Sequence, residues 1–399
     1  MRKSILYISY DGLMEPLGQS QIVSYLTRLA KNYNITIVSY EKSYCWSKKI
    51  NRVHLINVIS KVGIKWIPLR YHVRPTLIVT LYDIIIGLLL CSYLIIKFRI
   101  NIIHVRSYLP ALIGFIIKKF FSTKIIFDMR GFWVDERVDG KIWERNSLLY
   151  FIGKIIEKYL LDKADKIITL TKVSIAHIIF MAKDNYIERK ICVIPTCVNT
   201  EKFSLKPIKT YDTNNINFGY IGSLTDWYDI ESLFEFMKNL EYLHKKYSFE
   251  FITNDNTSKI QNLINKYSLS NSKIYISRSS FSQIPHVIKN LDVGIFFTKN
   301  VYSRQASFPT RVAEFLSSGV PCITNYGVGD HPDILLNTNT GVIINKFSDN
   351  DYIKAINAIY ELRNDPFISE RCRKVAIDSF SIEYGVDKYS QVYNSLING

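Results

Sequence analysis

Short apolar runs alternate with longer helical segments along the first half of the chain. The runs are SILYISY (4–10), NITIVSY (34–40), NIIHVRS (101–107), KIIFDMR (124–130), KIITLT (166–171) and ICVIPT (191–196). Such nearly continuous apolar runs are typical of parallel strands buried on both faces. Helical segments, beginning with 19–31, separate most of them. The alternation predicts a doubly wound α/β sheet.

The same alternation starts again at residue 215. Strands are predicted at 215–224, 248–253, 272–277, 292–298, 321–325 and 341–345, and helices at 229–245, 257–268 and 281–290. Residues 195–214 are polar, contain two prolines and show no periodicity, which indicates a linker. The length of 399 residues fits two domains. We therefore predict domains at 1–196 and 215–379, a linker at 197–214 and a helical tail at 380–399.

The segment 76–96 is apolar for 21 residues and is followed by Lys97 and Arg99. Its length is sufficient for a membrane span. Asp83 lies inside it, however, and elements of one predicted sheet flank it on both sides. These features favour a central helix of the first domain over a membrane span, and leave open whether one side of it contacts a membrane.

The net positive charge comes entirely from one half of the chain. Residues 1–200 contain 30 Lys and Arg against 14 Asp and Glu, a net charge of +16, whereas residues 201–399 contain 21 of each. A basic half indicates a polyanionic partner, either anionic lipid or a phosphate-bearing substrate. No helix-turn-helix, zinc-finger or RNP-type pattern accompanies the charge, so we expect no nucleic acid. A general excess of Lys would not produce this asymmetry.

Cysteine and histidine spacing indicates neither a disulfide framework nor a metal site. The six cysteines form no CxxC pair, and the seven histidines form no cluster at ligand spacing. The N-terminal MRKSILYISYDG lacks the apolar region of a secretory signal. We expect a cytoplasmic protein that requires no metal.

The stretch SFPTRVAEFLSSGVP (307–321) predicts a short helix with unusual chemistry at its beginning. Pro309 suits the first helical position, and Gly319 suits the residue after the end. Arg311 and Glu314 are three residues apart and share one helix face. They form either a weak surface ion pair or a binding site at a helix N-terminus. Because the helix follows a predicted strand, the carboxyl edge of the sheet favours the binding site.

A second turn supports that interpretation. In GYIGSLTDWYDI, Gly219 ends a strand and Gly222 lies in the turn towards a helix, where backbone N–H groups can approach a phosphate. Arg311 would add a charge-assisted contact to phosphates, and Glu314 would accept hydrogen bonds from two adjacent hydroxyls of a ribose. Diphosphate and ribose together indicate a nucleotide diphosphate.

Four stretches in order, DGLMEPLGQSQI, FDMRGFWVDERVDG, GYIGSLTDWYDI and PTRVAEFLSSGVPCITNYGVGD, resemble glycosyltransferase family 4 over nearly the whole chain. The resemblance implies a GT-B fold, with two Rossmann-like domains facing across a cleft and a last helix that returns to the first domain. It further implies a nucleotide-sugar donor on the C-terminal domain and an acceptor on the N-terminal domain. Transfer would retain the anomeric configuration, with no bound metal.

The resemblance assigns donor residues individually. Glu314 matches the second glutamate of the family's E-x7-E motif, and Gly18 matches its glycine loop. The first glutamate is replaced by Ala306, and the family's basic residues after the first donor-domain strand are replaced by Ser223 and uncharged neighbours. The predicted donor-binding residues are Gly18, Gly222, Ser223, Ser307, Pro309, Thr310, Arg311 and Glu314.

The first domain supplies the remaining candidates, because its motifs contain several carboxylates. Such groups deprotonate an acceptor hydroxyl or stabilise positive charge at the anomeric carbon. Helix capping or salt bridges with Arg106, Arg130 or Arg137 explain them equally well. The catalytic candidates are Asp128, Arg130, Asp135 and Glu136. The acceptor-binding candidates are Asp11, Glu15 and Arg106.

These observations predict a retaining bacterial glycosyltransferase of surface polysaccharide, O-antigen or capsule synthesis. Its acceptor would be a glycan or a polyprenyl-diphosphate-linked sugar, and its basic half would dock to the inner face of the cytoplasmic membrane. Two alternatives stay open: a nucleotide-sugar 2-epimerase and a non-catalytic protein that keeps the fold.

Overall fold

The computed structural model describes residues 2–72, 76–205, 215–280 and 282–398. The chain divides into two compact units, Met1–Pro195 with Ile382–Gly399, and Thr196–Ser381. Each unit is built on one parallel sheet with helices between successive strands. The predicted doubly wound α/β architecture is confirmed.

In the first unit the described strands are arranged in the order β3-β2-β1-β4-β5-β6-β7. Their bounds are β1 (Ser4–Ser9), β2 (Asn34–Glu41), β3 (Lys65–Arg70), β4 (Ile102–Arg106), β5 (Lys124–Asp128), β6 (Lys166–Thr169) and β7 (Ile191–Val193). The helices are α1 (Pro16–Gly18), α2 (Ser24–Leu29), α3 (Ser43–Trp46), α4 (Lys49–Lys61), α5 (Thr76–Phe98), α6 (Tyr108–Lys118), α7 (Trp133–Asp139), α8 (Leu148–Lys163) and α9 (Val173–Met181). A π-helical turn, Gln19–Val23, joins α1 to α2, and a 3-10 turn spans Ile187–Lys190.

In the second unit the described strands are arranged in the order β10-β9-β8-β11-β12-β13. Their bounds are β8 (Asn215–Ile221), β9 (Lys246–Ile252), β10 (Ile274–Ser277), β11 (Val293–Ile295), β12 (Cys322–Asn325) and β13 (Gly341–Ile344). The helices are α10 (Ile230–Tyr242), α11 (Ser258–Lys266), α12 (Ile284–Ile288), α13 (Thr310–Ser317), α14 (His331–Asn337), α15 (Asp349–Arg363) and α16 (Ile368–Phe380). Short 3-10 turns span Thr200–Lys202, Asn271–Lys273 and Tyr302–Ala306.

The last helix, α17 (Ile382–Asn398), belongs to the first unit. It packs on α2, and Tyr33 donates a 2.8 Å hydrogen bond to the side chain of Asn394. Tyr389 and Tyr393 of α17 are buried. The chain therefore returns to its first unit, as the resemblance implied.

Residues assigned to the linker from composition are partly core. Cys197 and Val198 are buried, and the Val198 N–H donates to the Phe380 carbonyl at 2.9 Å. Thr196 donates its hydroxyl proton to the Phe308 carbonyl. Residues 196–205 thus pack into the second unit, and the rest of the predicted linker, 206–214, lies outside the described residues.

One strand was missed from the sequence. β3 reads KWIPLR, begins and ends with a basic residue and contains Pro68. A proline within a strand is tolerated at the edge of a sheet, which is where β3 lies. Its polar ends concealed it because the prediction relied on continuous apolar runs.

Candidate functional site

The strand order of the second unit reverses between β8 and β11. In open α/β sheets ligands bind at the carboxyl ends of the strands at such a point. The guanidinium carbon of Arg311 lies here, 4.2 Å from the centre of the Tyr228 ring, 5.0 Å from that of Tyr220 and 5.2 Å from that of Phe296. Three aromatic rings therefore hold the cation in place.

Gly222 makes room for this arginine. Its φ of +135° is one that residues with a side chain rarely adopt, and a Cβ added there would lie 2.2 Å from Nη2 of Arg311. The glycine of the GYIGS turn is thus required by a side-chain contact as well as by backbone conformation.

Arg311 is only 7% exposed, and its Nη1 has no hydrogen-bond partner among the residues that the structure describes. Burial by itself lowers the pKa of Arg311, but Tyr228 and Tyr220 raise it above the ordinary value, so the group carries its charge. A buried cationic donor without a partner is costly unless a ligand satisfies it. This is the chemistry expected of a phosphate-binding arginine.

Glu314 lies one turn further along α13 and is 8% exposed. Burial raises the pKa of this carboxyl to about 7, and the nearby Arg311 opposes that shift only in part. The surface ion pair considered from the sequence is therefore wrong, because both side chains are buried. A carboxylate in this position is suited to accept hydrogen bonds from neighbouring hydroxyls.

The beginning of α13 provides further donors. The helix starts at Thr310, and Pro309 is its N-cap, with a ψ of 120°, rather than its first helical residue as predicted. No side chain caps this end. Thr310 and Ser307 are half-buried beside it. Gly294 in β11 allows close packing of α13, since a Cβ there would lie 2.5 Å from the Phe315 ring.

The second predicted helix terminus does not contribute an anion site. The carboxylate of Asp229 accepts the N–H of Ser232 and thereby caps α10. In the turn itself the Gly222 N–H donates to the Ile252 carbonyl, and the Leu224 N–H donates to Asp255 at 2.6 Å. These backbone donors are already used, so the prediction of two helix ends aimed at one anion is corrected to one. The carbonyl of Ser223 accepts a hydrogen bond from Tyr220.

In the first unit, the strand order reverses between β1 and β4. Arg106, at the end of β4, is 2% exposed and reaches across to Asp11, with 3.4 Å between its Nε and the carboxylate. The side chain of Asp11 is 48% exposed. Arg106 is thus fixed by protein contacts, and Asp11 presents a carboxylate at the same edge of the sheet.

Asp128 is fully buried in a cluster of donors. The hydroxyl of Tyr389 donates to it at 2.9 Å, and Arg106, Arg130 and His104 lie 3.6–3.9 Å away. Burial alone would raise the pKa of Asp128, but Arg130, His104 and Arg106 hold it at about 2. So acidic a group is a poor proton acceptor at neutral pH. A role of Asp128 in proton transfer is therefore disfavoured, while its other predicted role, stabilisation of positive charge at the anomeric carbon, stays a prediction.

Arg130 has a φ of +60° and precedes Gly131, whose φ is +146°. A left-handed arginine is uncommon and marks a sharp turn at the end of β5. Its guanidinium faces Asp128 at 3.9 Å. The turn therefore directs Arg130 towards the same buried carboxylate.

Asp135 is occupied by protein contacts. Lys154 donates to it at 2.9 Å and Tyr150 at 3.2 Å, and Lys154 also pairs with Glu157. For Asp135 the salt-bridge explanation is the one that the structure shows, because Lys154 neutralises it. Glu136, on the same helix, is half-buried and also has interactions within the protein.

Glu15 and Gly18 shape the loop that follows β1. Glu15 accepts a 2.7 Å hydrogen bond from Lys42. A Cβ on Gly18 would lie 2.0 Å from the Gly12 carbonyl oxygen, so glycine is required for close packing of the loop. The roles of these two residues in substrate binding stay predictions.

Several residues that surround the candidate site or form buried polar clusters were not predicted from the sequence. Tyr220, Tyr228 and Phe296 surround Arg311. They lie in stretches for which the sequence pattern predicts only strands and turns. A polar cluster in the first unit was also not predicted: Nδ1 of His72 lies 2.6 Å from the carboxylate of Asp83, which also accepts the Tyr10 hydroxyl at 2.8 Å. The isolated aspartate in an apolar helix was the available signal for this cluster.

Among the described residues there is no group of three or more His, Cys, Asp or Glu side chains that could hold a metal ion. The site in the second unit instead combines a buried arginine, a buried carboxyl and an uncapped helix end.

Sequence comparison identifies the family of the domain that holds this site. Residues 201–376 match the family profile described as "Glycosyl transferases group 1". They form a glycosyl transferases group 1 domain. The match assigns this domain to the glycosyltransferases, and Arg311 and Glu314 lie within the matched range. No curated protein matches the sequence.

Solved structures show the GT-B fold over the whole chain. Sucrose-phosphate synthase from Thermosynechococcus elongatus superimposes with a TM-score of 0.73 at 15% identity and 100% coverage of both chains. A glycosyltransferase from Rickettsia africae gives 0.69 at 16% identity, with 99% of each chain covered. HepE from Anabaena, solved with UDP, gives 0.71 at 10% identity, covering 99% of this chain and 100% of HepE.

Proposed function

We propose that this glycosyltransferase moves a sugar, with retention, from a nucleotide-diphosphate sugar to a polyprenyl-diphosphate-linked or glycan acceptor of surface polysaccharide, O-antigen or capsule synthesis. The nucleotide donor is supported above all by Arg311, a buried cation whose Nη1 has no partner in the described part of the chain. Glu314 lies one turn away, and the uncapped end of α13 lies beside both. The UDP complex of HepE, a protein of the same fold, supports a nucleotide donor.

In this proposal each group has a defined task. Arg311 and the first N–H groups of α13 bind the diphosphate, and Glu314 accepts the ribose hydroxyls. The leaving diphosphate carries negative charge that Arg311 stabilises as the glycosidic bond breaks. Catalysis then rests on positioning and electrostatics, without a protein nucleophile.

The proposed acceptor and location rest on the net positive charge of residues 1–200 and on Asp11 in the first unit. All of the net positive charge lies in residues 1–200, which suits an acceptor that carries a diphosphate at a membrane surface. We propose a peripheral location on the inner face of the cytoplasmic membrane. Asp11, the half-exposed carboxylate beside Arg106, is the group we assign to the acceptor.

The test measures binding of UDP and GDP by calorimetry and release of nucleotide diphosphate from UDP- and GDP-sugars in the presence of membrane extract. Charge-assisted hydrogen bonds contribute about 1.5–3 kcal/mol, so Arg311→Ala should weaken binding by roughly 10- to 100-fold. Arg278→Ala, at an exposed arginine of the same unit, is the matched control. Wild-type affinity in a folded Arg311→Ala protein would reject the assigned donor site.

One observation favours a second candidate, a non-catalytic GT-B protein. The position of the first motif glutamate is occupied by Ala306, which is fully buried in a 3-10 turn. Nucleotide binding without any nucleotide release from the sugar panel would support this candidate over the transferase.

A further inference from the structure

Helix α5 has two opposite faces with different surroundings. Asp83, Cys91, Leu94 and Ile95 are buried against the first unit. Gly87 allows this close packing, since a Cβ there would lie 2.3 Å from the Tyr40 hydroxyl. The buried positions recur every three or four residues and so define one side of the helix.

The opposite side of α5 is both apolar and exposed. Its exposed aliphatic side chains are Ile78, Leu81, Ile85, Leu89 and Ile96. Ile78, Leu89 and Ile96 are 70%, 67% and 68% exposed. Tyr82 and Tyr93 are exposed between them. Between residues 78 and 96 the only charged residue is Asp83, which is buried on the other side. The stripe is about 27 Å long at 1.5 Å per residue.

A second apolar stripe lies on the same layer of helices. In α8, Leu148, Ile152, Ile155 and Tyr159 are exposed at helical spacing. Helix α6 packs against both α5 and α8, so the three helices form one layer beside the sheet. Exposed apolar surface of this extent is unusual in a soluble protein and marks an interaction site. We call the outer side of α5, α6 and α8 the apolar layer face.

The topology determines how α5 can meet a bilayer. Its segment Ile78–Phe98 is long and apolar enough to cross a membrane by length and composition. However, β3 before it pairs with β2, and β4 after it pairs with β1, in one sheet. Both ends are therefore fixed to the same unit, and one side of the helix is packed against protein. The helix can lie in a membrane interface with its exposed side towards the lipid tails. It cannot cross the bilayer while the sheet is intact.

Positive charge at the ends of the layer helices selects the kind of membrane. Lys97 and Arg99 follow the apolar stripe of α5, with Lys97 Nζ 5.1 Å from the Tyr93 ring centre. At the end of α6, Lys119 lies 5.8 Å from the ring of Tyr159 in α8. Aromatic and basic side chains next to an apolar stripe are the pattern of a helix that binds anionic lipid interfaces.

We infer that the apolar layer face inserts into the surface of an anionic phospholipid bilayer, with the exposed stripe of α5 as its main contact. This deepens the proposed function, because it rests on a membrane-linked acceptor and names the surface that reaches it. Insertion removes apolar side chains from water, while the flanking lysines contact lipid phosphates.

The test is flotation of the full chain with vesicles of 30% phosphatidylglycerol and 70% phosphatidylethanolamine. We expect Ile85→Glu combined with Leu89→Glu to lower the partition coefficient at least roughly ten-fold, because two inserted apolar side chains become charged. Ile377→Glu, at an exposed helical isoleucine of the second unit, should change it less than about two-fold. Vesicles of phosphatidylcholine alone should bind wild type several-fold less.

Three outcomes would overturn the inference. Wild type that does not float with anionic vesicles lacks a membrane face. If the double variant is folded, as judged by circular dichroism and melting temperature, and still floats like wild type, the membrane contact lies on another surface. Wild type that is dimeric by light scattering, with a monomeric double variant, would make the face an interface between two copies. UDP binding by the double variant separates these failures from failure of the proposed donor site.

Discussion

At the residue scale, the donor site depends on one arginine and the space around it. Arg311 lies among Tyr220, Tyr228 and Phe296, and the missing side chain of Gly222 leaves room for its guanidinium. The sequence predicted Arg311 and Gly222 as donor residues but as separate contacts. Their dependence on each other appears only in three dimensions, because positions 222 and 311 are 89 residues apart in the sequence.

Gly222→Ala should therefore weaken nucleotide binding by at least roughly ten-fold, since the new Cβ displaces Arg311 from its charge-assisted contacts. Gly63→Ala is the matched control: Gly63 also has a positive φ, +77°, but no atom of the described residues lies within 4 Å of a Cβ there. Both variants should lose about 1 kcal/mol of stability from the backbone conformation. Titration with UDP and GDP measures the difference, and equal affinities for the two variants would contradict it.

The burial of Glu314 predicts how the stability of the protein depends on pH. The pKa of Glu314 is about 7 in the folded protein because it is buried, against 4.5 for the free side chain. The folded state therefore holds the proton more tightly, and the stability that this proton gives is complete below pH 4.5 and is lost as pH rises through 7. The loss reaches about 3 kcal/mol at most. Glu314→Gln should remove this part of the pH dependence in urea unfolding curves, and a variant with the wild-type profile would contradict the assignment.

At the scale of elements, helix α17 completes the polar core of the first unit. Tyr389 donates to Asp128, and Tyr393 lies 2.8 Å from Nδ1 of His104, so two turns of one helix hold the residues beneath Arg106. The resemblance implied that the last helix returns to the first domain, but no sequence pattern showed these tyrosines as partners of a buried carboxylate.

Tyr389→Phe should destabilise the protein by about 1–3 kcal/mol, because it removes a hydrogen bond to a buried charge. Tyr242→Phe, whose side chain is 73% exposed, is the control and should change little. Urea unfolding followed by fluorescence measures both. Equal midpoints for the two variants would show that the Tyr389 hydroxyl contributes nothing to the Asp128 cluster.

At the scale of the whole molecule, the first unit is built from two separate segments of the chain, and the second unit lies between them in the sequence. Residues 382–399 belong to the unit that begins at the N-terminus. Truncation after Ser381 should therefore expose amides of α2 and β4 to hydrogen exchange while α13 stays protected, because α17 packs on α2 and its Tyr393 contacts His104 of β4, all within the first unit. Truncation after Asn394 keeps Tyr389 and Tyr393 and serves as the control. Loss of protection confined to α13 would contradict this account.

The sequence by itself determined the two sheets, nearly all of their strands, the charge asymmetry and the pairing of Arg311 with Glu314 on one helix. These properties follow from local periodicity and spacing, which do not require distant contacts. Only the tertiary structure decided the edge strand β3, the aromatic enclosure of Arg311, the strong acidity of Asp128 and which side of α5 faces solvent. Each of these depends on burial and on partners far along the chain, and neither can be read from neighbouring residues.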